Sequence, residues 1–219
     1  MEPNLLPFLF PIFFVGVIGV VVVVSRTAAG RAERNLRTLA SRLGLQVTEH
    51  PPVFGIFARS PTVEGLRRGK PVRLYTFTTG SGKSRQTWAA VAVQASRRTL
   101  TFSFEPQGVG SKIMEFFGVK EVTVGDRPFD EAWFVRTNLP DYLRAALIPE
   151  LRERLMEARR AGLRSAFRCE NGEVRYAERG GFSDDGKVAR FLVAADLCSD
   201  LAEVVEVAGP DDSGLSSRR

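Results

Sequence analysis

The chain has 219 residues, 44% of them hydrophobic and 26% charged, with a formal net charge of +6. This is the balance of an ordinary globular protein, and two cysteines are too few for a disulfide framework at this length. Residues 26–44 carry +4 of the charge, residues 1–25 carry −1 and the remaining 175 carry only +3, so nucleic acid is not an expected partner; nor is a nucleotide, on the loop spacing of Thr78–Ser84.

From Leu5 to Val24 runs an apolar stretch without a charged residue. At about 1.5 Å per residue it reaches roughly 30 Å, the thickness of a bilayer's hydrocarbon core. No basic residue precedes it, whereas Arg26, Arg31, Arg34, Arg37 and Arg42 follow. By the positive-inside rule this predicts a single-pass inner (plasma) membrane protein, N-terminus outside and domain cytoplasmic. The expected organisation is an anchor over 1–25, a basic juxtamembrane helix over 26–44, a cytoplasmic α+β domain over 45–208 and a disordered tail over 209–219.

In the basic segment Ala32, Leu36, Leu39, Ala40 and Leu43 form one apolar stripe, which predicts a helix packed on the domain and closed by Gly44. Its five arginines are candidate contacts for anionic lipid headgroups. Leu45, Val47 and Thr48 begin a strand, and Pro51-Pro52 breaks the chain after His50, the single histidine. Strands are then predicted over Thr62–Arg67, Val72–Thr79, Gln86–Ala95 and Thr99–Glu105, joined by short polar or glycine-bearing links into a four-stranded antiparallel meander.

A short helix is expected from Ser111 to Gly118. Two strands, Lys120–Val124 and Ala132–Thr137, flank a turn at Gly125-Asp126-Arg127-Pro128. A helical stretch then starts at Asn138, with Pro140 and Asp141 in its first turn, and Pro149 kinks or restarts it before Glu150. Leu163–Cys169 and Val174–Glu178 make a hairpin around Asn171-Gly172, the strongest short hairpin signal in the chain. A last helix starts at Ser183, with Val188, Phe191, Leu192, Ala195, Ala202 and Val205 on one face. The predicted fold class is α+β, an N-terminal transmembrane helix followed by an antiparallel meander with packing helices. Cys169 and Cys198 are expected to be buried free thiols.

Two motifs invite a catalytic reading. Thr78-Thr79-Gly80-Ser81-Gly82-Lys83-Ser84 has the ending of a phosphate loop, but Phe77 stands where its first glycine belongs and a strand follows where a helix is needed. It reads as a hairpin tip. Asp126, Asp130, Trp133 and Asn138 gather acids, an aromatic ring and an amide in one stretch, a candidate binding patch or acid–base site. Asp126 also suits a turn, Asp130 a cap and Trp133 a core. No residue is singled out as catalytic, metal-ligating or cofactor-binding, and no cofactor is implied.

The phrase Phe129-Asp130-Glu131-Ala132-Trp133-Phe134-Val135-Arg136-Thr137-Asn138 resembles one in uncharacterised bacterial membrane-anchored proteins. The resemblance covers residues 60–150 in pattern and these ten in detail. It implies a bacterial, tethered, non-catalytic protein and no activity or catalytic residue. The functional expectation is a binding or scaffolding domain that holds an unidentified protein partner at the membrane. The alternatives are a tethered enzyme with its site around Asp126–Asn138, or a sensor of anionic lipid.

Overall fold

The computed structural model describes residues 26–48, 61–107 and 120–208. The described residues open with helix α1 over 26–43, whose Leu36, Leu39, Ala40 and Leu43 are buried while its five arginines stay exposed. The apolar stripe packs against the domain, as the spacing predicts. Strands β1 (Gln46–Thr48), β2 (Thr62–Arg67), β3 (Lys70–Thr79) and β4 (Gln86–Gln94) follow. Arg68 and Gly69, both at positive φ, make the two-residue turn between β2 and β3. A 3-10 turn over Gly82–Ser84 lies at the tip between β3 and β4, so Lys83 does sit on a hairpin tip with a strand after it.

Next come β5 (Phe102–Pro106), β6 (Lys120–Val122), helix α2 (Arg127–Ala132) and β7 (Trp133–Thr137). Helices α3 (Pro140–Ala146) and α4 (Pro149–Arg160) start at the two prolines. The hairpin β8 (Phe167–Glu170) and β9 (Glu173–Arg179) and the long helix α5 (Gly186–Val207) complete the described residues. The nine strands form one antiparallel sheet in the order β1-β2-β3-β4-β9-β8-β5-β7-β6.

This order corrects the predicted fold class. β5 does not continue the meander, because the β8–β9 hairpin lies between it and β4. The hairpin is seated there through its tip. The Ala95 amide donates to the Gly172 carbonyl (2.8 Å), and Asn171 and Gly172 both adopt positive φ. A Cβ on Gly172 would collide with the Arg97 carbonyl oxygen and come within 3.0 Å of that of Ala95. Thr99 to Thr101 are not strand either, since their backbone is bonded to the Asn138 side chain.

The transmembrane helix is corrected too. No helix among the described residues is long and apolar enough to cross a membrane. The stretch on which the inner-membrane, single-pass placement rested, 5–24, lies outside those residues, as do His50, Pro51-Pro52, the helix expected at 111–118 and the tail from 209. What is established is an α+β fold on a nine-stranded antiparallel sheet.

Alternation along each strand gives the sheet two unlike faces. On one, Val63, Val72, Leu74, Val91, Val93, Val174, Tyr176, Cys169, Phe167, Phe102, Phe104 and Val135 join the buried side chains of α1–α5 in the core. Tyr176 lies at its centre, 4.9 Å from the ring of Phe167 and 5.8 Å from that of Phe191 on α5. Helix α5 is held along its length by polar bonds. Lys187 Nζ donates to the Arg179 and Gly181 carbonyls, and Arg190 pairs with Glu178 (2.9 Å). Arg67 meets Asp196; Arg68 (2.7 Å) and Arg154 (2.5 Å) converge on Asp200; and Ser96 bonds Glu206.

Replacing Gly172 with alanine should lower stability by about 1–3 kcal/mol, through left-handed strain and loss of the seat against residues 95–97. Urea denaturation reads the effect. An unchanged midpoint would show that the hairpin does not depend on this contact.

Candidate functional site

The four residues of the sequence-derived patch do not converge. Asp126 caps α2, accepting from the Phe129 amide (3.4 Å), and pairs with Arg152 on α4 (2.9 Å). Asp130 turns back to accept from the amides of Val124 and Gly125, each at 3.0 Å. The expected turn at Gly125–Pro128 is therefore a helix start. The signal for it was present: an acid before a proline in the first turn, with Asp130 and Glu131 behind.

Trp133 points into the core, 2% exposed, its ring 6.0 Å from Phe167 and 5.7 Å from the guanidinium of Arg159. Asn138 stands beyond the far end of β7, five residues or roughly 16 Å along an extended strand. Its amide donates to the Thr99 carbonyl (2.7 Å), and its oxygen accepts from the Thr101 amide (2.8 Å). Both polar groups of Asn138 are engaged in holding backbone. Of the five arginines on α1, Arg37 pairs with Glu33 (2.6 Å).

The cysteines sit in the core, 1% and 0% exposed. Burial pushes the Cys169 thiol up to about 12 and Cys198 up as well, which keeps both protonated and poor as nucleophiles. Burial also lowers the ammonium of Lys187, which two backbone carbonyls hold. Among the described residues no group of three or more His, Cys, Asp or Glu could hold a metal ion.

The features that sequence reading missed lie on the other face of the sheet. The buried side chains of the helices belong to the core, and this second face carries its own pattern. Arg73, Tyr75 and Phe77 on β3 stand beside Ala92, Ala90 and Trp88 on β4, and these beside Arg175, Ala177 and Arg179 on β9. Phe77 and Trp88 lie nearly parallel, 14° apart with centroids at 6.3 Å, and the Trp88 indole donates to the Thr79 hydroxyl (2.8 Å). Guanidinium groups cover three rings: Arg73 over Tyr75 at 4.5 Å, Arg175 over Phe77 at 5.6 Å and Arg136 over Phe134 at 4.6 Å.

Two adjoining recesses open on this face. One of 640 Å³ spans β1 to β4 between Gln46, Glu64, Leu66 and Arg73; one of 350 Å³ lies by the β8–β9 tip between Arg98, Arg168 and Arg175. Gln94 and Glu173 line both. On the helix side a third recess of 380 Å³, among Tyr142, Ile148, Leu151, Val204 and Val207, is largely apolar.

The fold has a solved counterpart. The crystal structure of the mycobacterial trehalose monomycolate transport factor A, TtfA, is similar at a TM-score of 0.55, with 12% sequence identity, over 83% of this chain and 97% of that one. At that identity the likeness is one of fold. No family model matches the chain, and no curated protein matches it.

Asp126→Ala should cost about 1 kcal/mol, through loss of the α2 cap and of the tie to Arg152. Thermal or urea unfolding measures it. A variant as stable as the parent would free Asp126 from this structural duty and return it to the candidate binding patch.

Proposed function

We propose that this chain is a binding module, and that the face of its sheet turned away from the helices receives a protein partner. The observation that carries this reading is the contrast between the two faces. One is closed by five helices; the other interleaves half-buried aromatic rings with arginines above two adjoining recesses. Aromatic and arginine side chains are the types that concentrate binding energy at interfaces. The tethered-enzyme alternative needs Asp126, Asp130 and Asn138 to converge on a cleft. Asp126 and Asp130 are spent on a helix start, and Asn138 on a loop. Likeness of fold to a protein described as a transport factor is in keeping with a module that holds its ligand without transforming it.

A photo-crosslinking residue placed singly at Phe77 or Phe134 in the full chain should capture a protein partner in cells, whereas one at Val207 should not. Adducts formed only from Val207 would move the interface to the recess on the helix side and sink this reading.

A second reading is favoured by the exposure of Arg26, Arg31, Arg34, Arg37 and Arg42, all on the face of α1 opposite its buried stripe. Such a row suits anionic lipid headgroups, at about 1 kcal/mol per basic residue near the surface. Flotation of the full chain with vesicles tests it. Changing Arg31, Arg34, Arg37 and Arg42 to Gln should weaken association with anionic vesicles at low salt and leave association with neutral vesicles unaltered. Equal binding to the two vesicle types by the unaltered chain would defeat the lipid reading.

A further inference from the structure

Strand register assembles a row of residues straight across the open face. Gln46 pairs with Glu64, Glu64 with Arg73, Arg73 with Ala92, and Ala92 with Arg175. Arg175 then faces Arg168, Arg168 faces Ser103, Ser103 faces Arg136 and Arg136 faces Glu121. Nine strands thus contribute one row holding four arginines, with a glutamate near each end. From Arg73 on β3 to Arg136 on β7 are five inter-strand steps, roughly 24 Å at about 4.8 Å each.

Ion pairing within the fold accounts for only part of this row. Like charges placed directly opposite are unfavourable, and Arg168 and Arg175 are such a pair. Arg73 meets Glu173 (3.3 Å) and Arg168 meets Glu105 (3.4 Å). Among the described residues Arg175 and Arg136 have no carboxylate partner; each lies instead over a phenylalanine ring. Between Arg168 and Arg136, the Ser103 hydroxyl is buried without a hydrogen-bond partner, its residue 3% exposed. Arg98 joins Arg168 and Arg175 around the 350 Å³ recess.

We infer that this row recognises an extended acidic segment of a protein partner, with a carboxylate at every second position. The inference rests on the proposed binding role of this face and names the chemistry of what binds there. Length supports it: an extended chain advances about 3.3 Å per residue, so roughly seven residues cover the row and about four of them face the sheet. Arg175 and Arg136 hold no carboxylate among the described residues and offer their charge to the segment, and Tyr75, Phe77, Trp88 and Phe134 border the row with ring faces. Acids decide between kinds of polyanion. Glu64 and Glu121 bound the row, and Glu170 and Glu173 stand in the next rank. A nucleic-acid backbone would run on past those ends, and an anionic bilayer would meet all these carboxylates at once. A segment of defined length avoids them.

The probe is the octapeptide (Glu-Tyr)4, titrated into the full chain by fluorescence anisotropy beside (Gln-Tyr)4, a decauridylate and phosphatidylglycerol vesicles. Arg175→Gln and Arg136→Gln remove cations that hold no carboxylate, so the fold should survive them; circular dichroism checks that it does. Binding of (Glu-Tyr)4 in preference to (Gln-Tyr)4, weakened about tenfold by each variant and by salt, is expected. Absence of peptide binding to millimolar concentration overturns the inference. So does binding that neither variant alters. If decauridylate or the vesicles bind instead, and Arg175→Gln or Arg136→Gln abolishes it, the peptide assignment is wrong while the open face stands as a binding surface. Crosslinks confined to the helix side would remove the underlying reading itself.

Discussion

The pairing of β4 with β9 holds the molecule together. Seven register pairs, from Trp88↔Arg179 to Gln94↔Glu173, join a sheet half made of β1 to β4 to another made of β8, β5, β7 and β6. Remove that seam and neither half has a closed core. Helix α5 lies across it, touching both strands, and Tyr176 on β9 carries ring contacts to β8 and to α5. Both unlike faces of the sheet follow from the same ladder. Its alternation sends Val91, Val93, Val174 and Tyr176 toward the helices, and Trp88, Ala90, Arg175 and Ala177 away from them.

Local chemistry was legible in the sequence and partnership was not. Thr62–Arg67 is a strand with the bounds its alternation indicates, Pro140 and Pro149 open helices, and Asn171-Gly172 turns a hairpin. These features depend on neighbouring residues alone. The place of β5 does not. Its alternating Phe102 and Phe104 would suit β4 as well as β8, and the choice is made by the hairpin from 167–179 seated against Ala95. Asp126 shows the opposite failure. Its aspartate–proline pattern fits a turn and a helix cap alike, and the helix prevails because Phe129 is buried in the core and Arg152 lies within reach.

The candidate site was harder still to see. Arg73, Arg136, Arg168 and Arg175 each occupy an unremarkable outward position on a strand, in four different segments. Counting charge by segment gives residues 45–219 only +3 and hides the row, because balancing glutamates lie on the same strands. Only strand order and register turn scattered residues into a surface. The Asp126–Asn138 stretch misled for the converse reason: closeness along the chain suggested a cluster that an intervening strand holds apart.

That same seam has a consequence for biosynthesis. Residues 86–94 leave the ribosome long before residues 173–179, yet they are neighbours at the centre of the sheet. Until about eighty further residues have been made, β4 presents a bare edge of amides and carbonyls, backed by Val91 and Val93 without α5 against them. Such an edge is a template for any other nascent strand, and pairing over this distance in sequence is slow. The order of strands thus makes the half-finished polypeptide a natural client for holding chaperones, and sets translation speed through 95–173 as a determinant of yield.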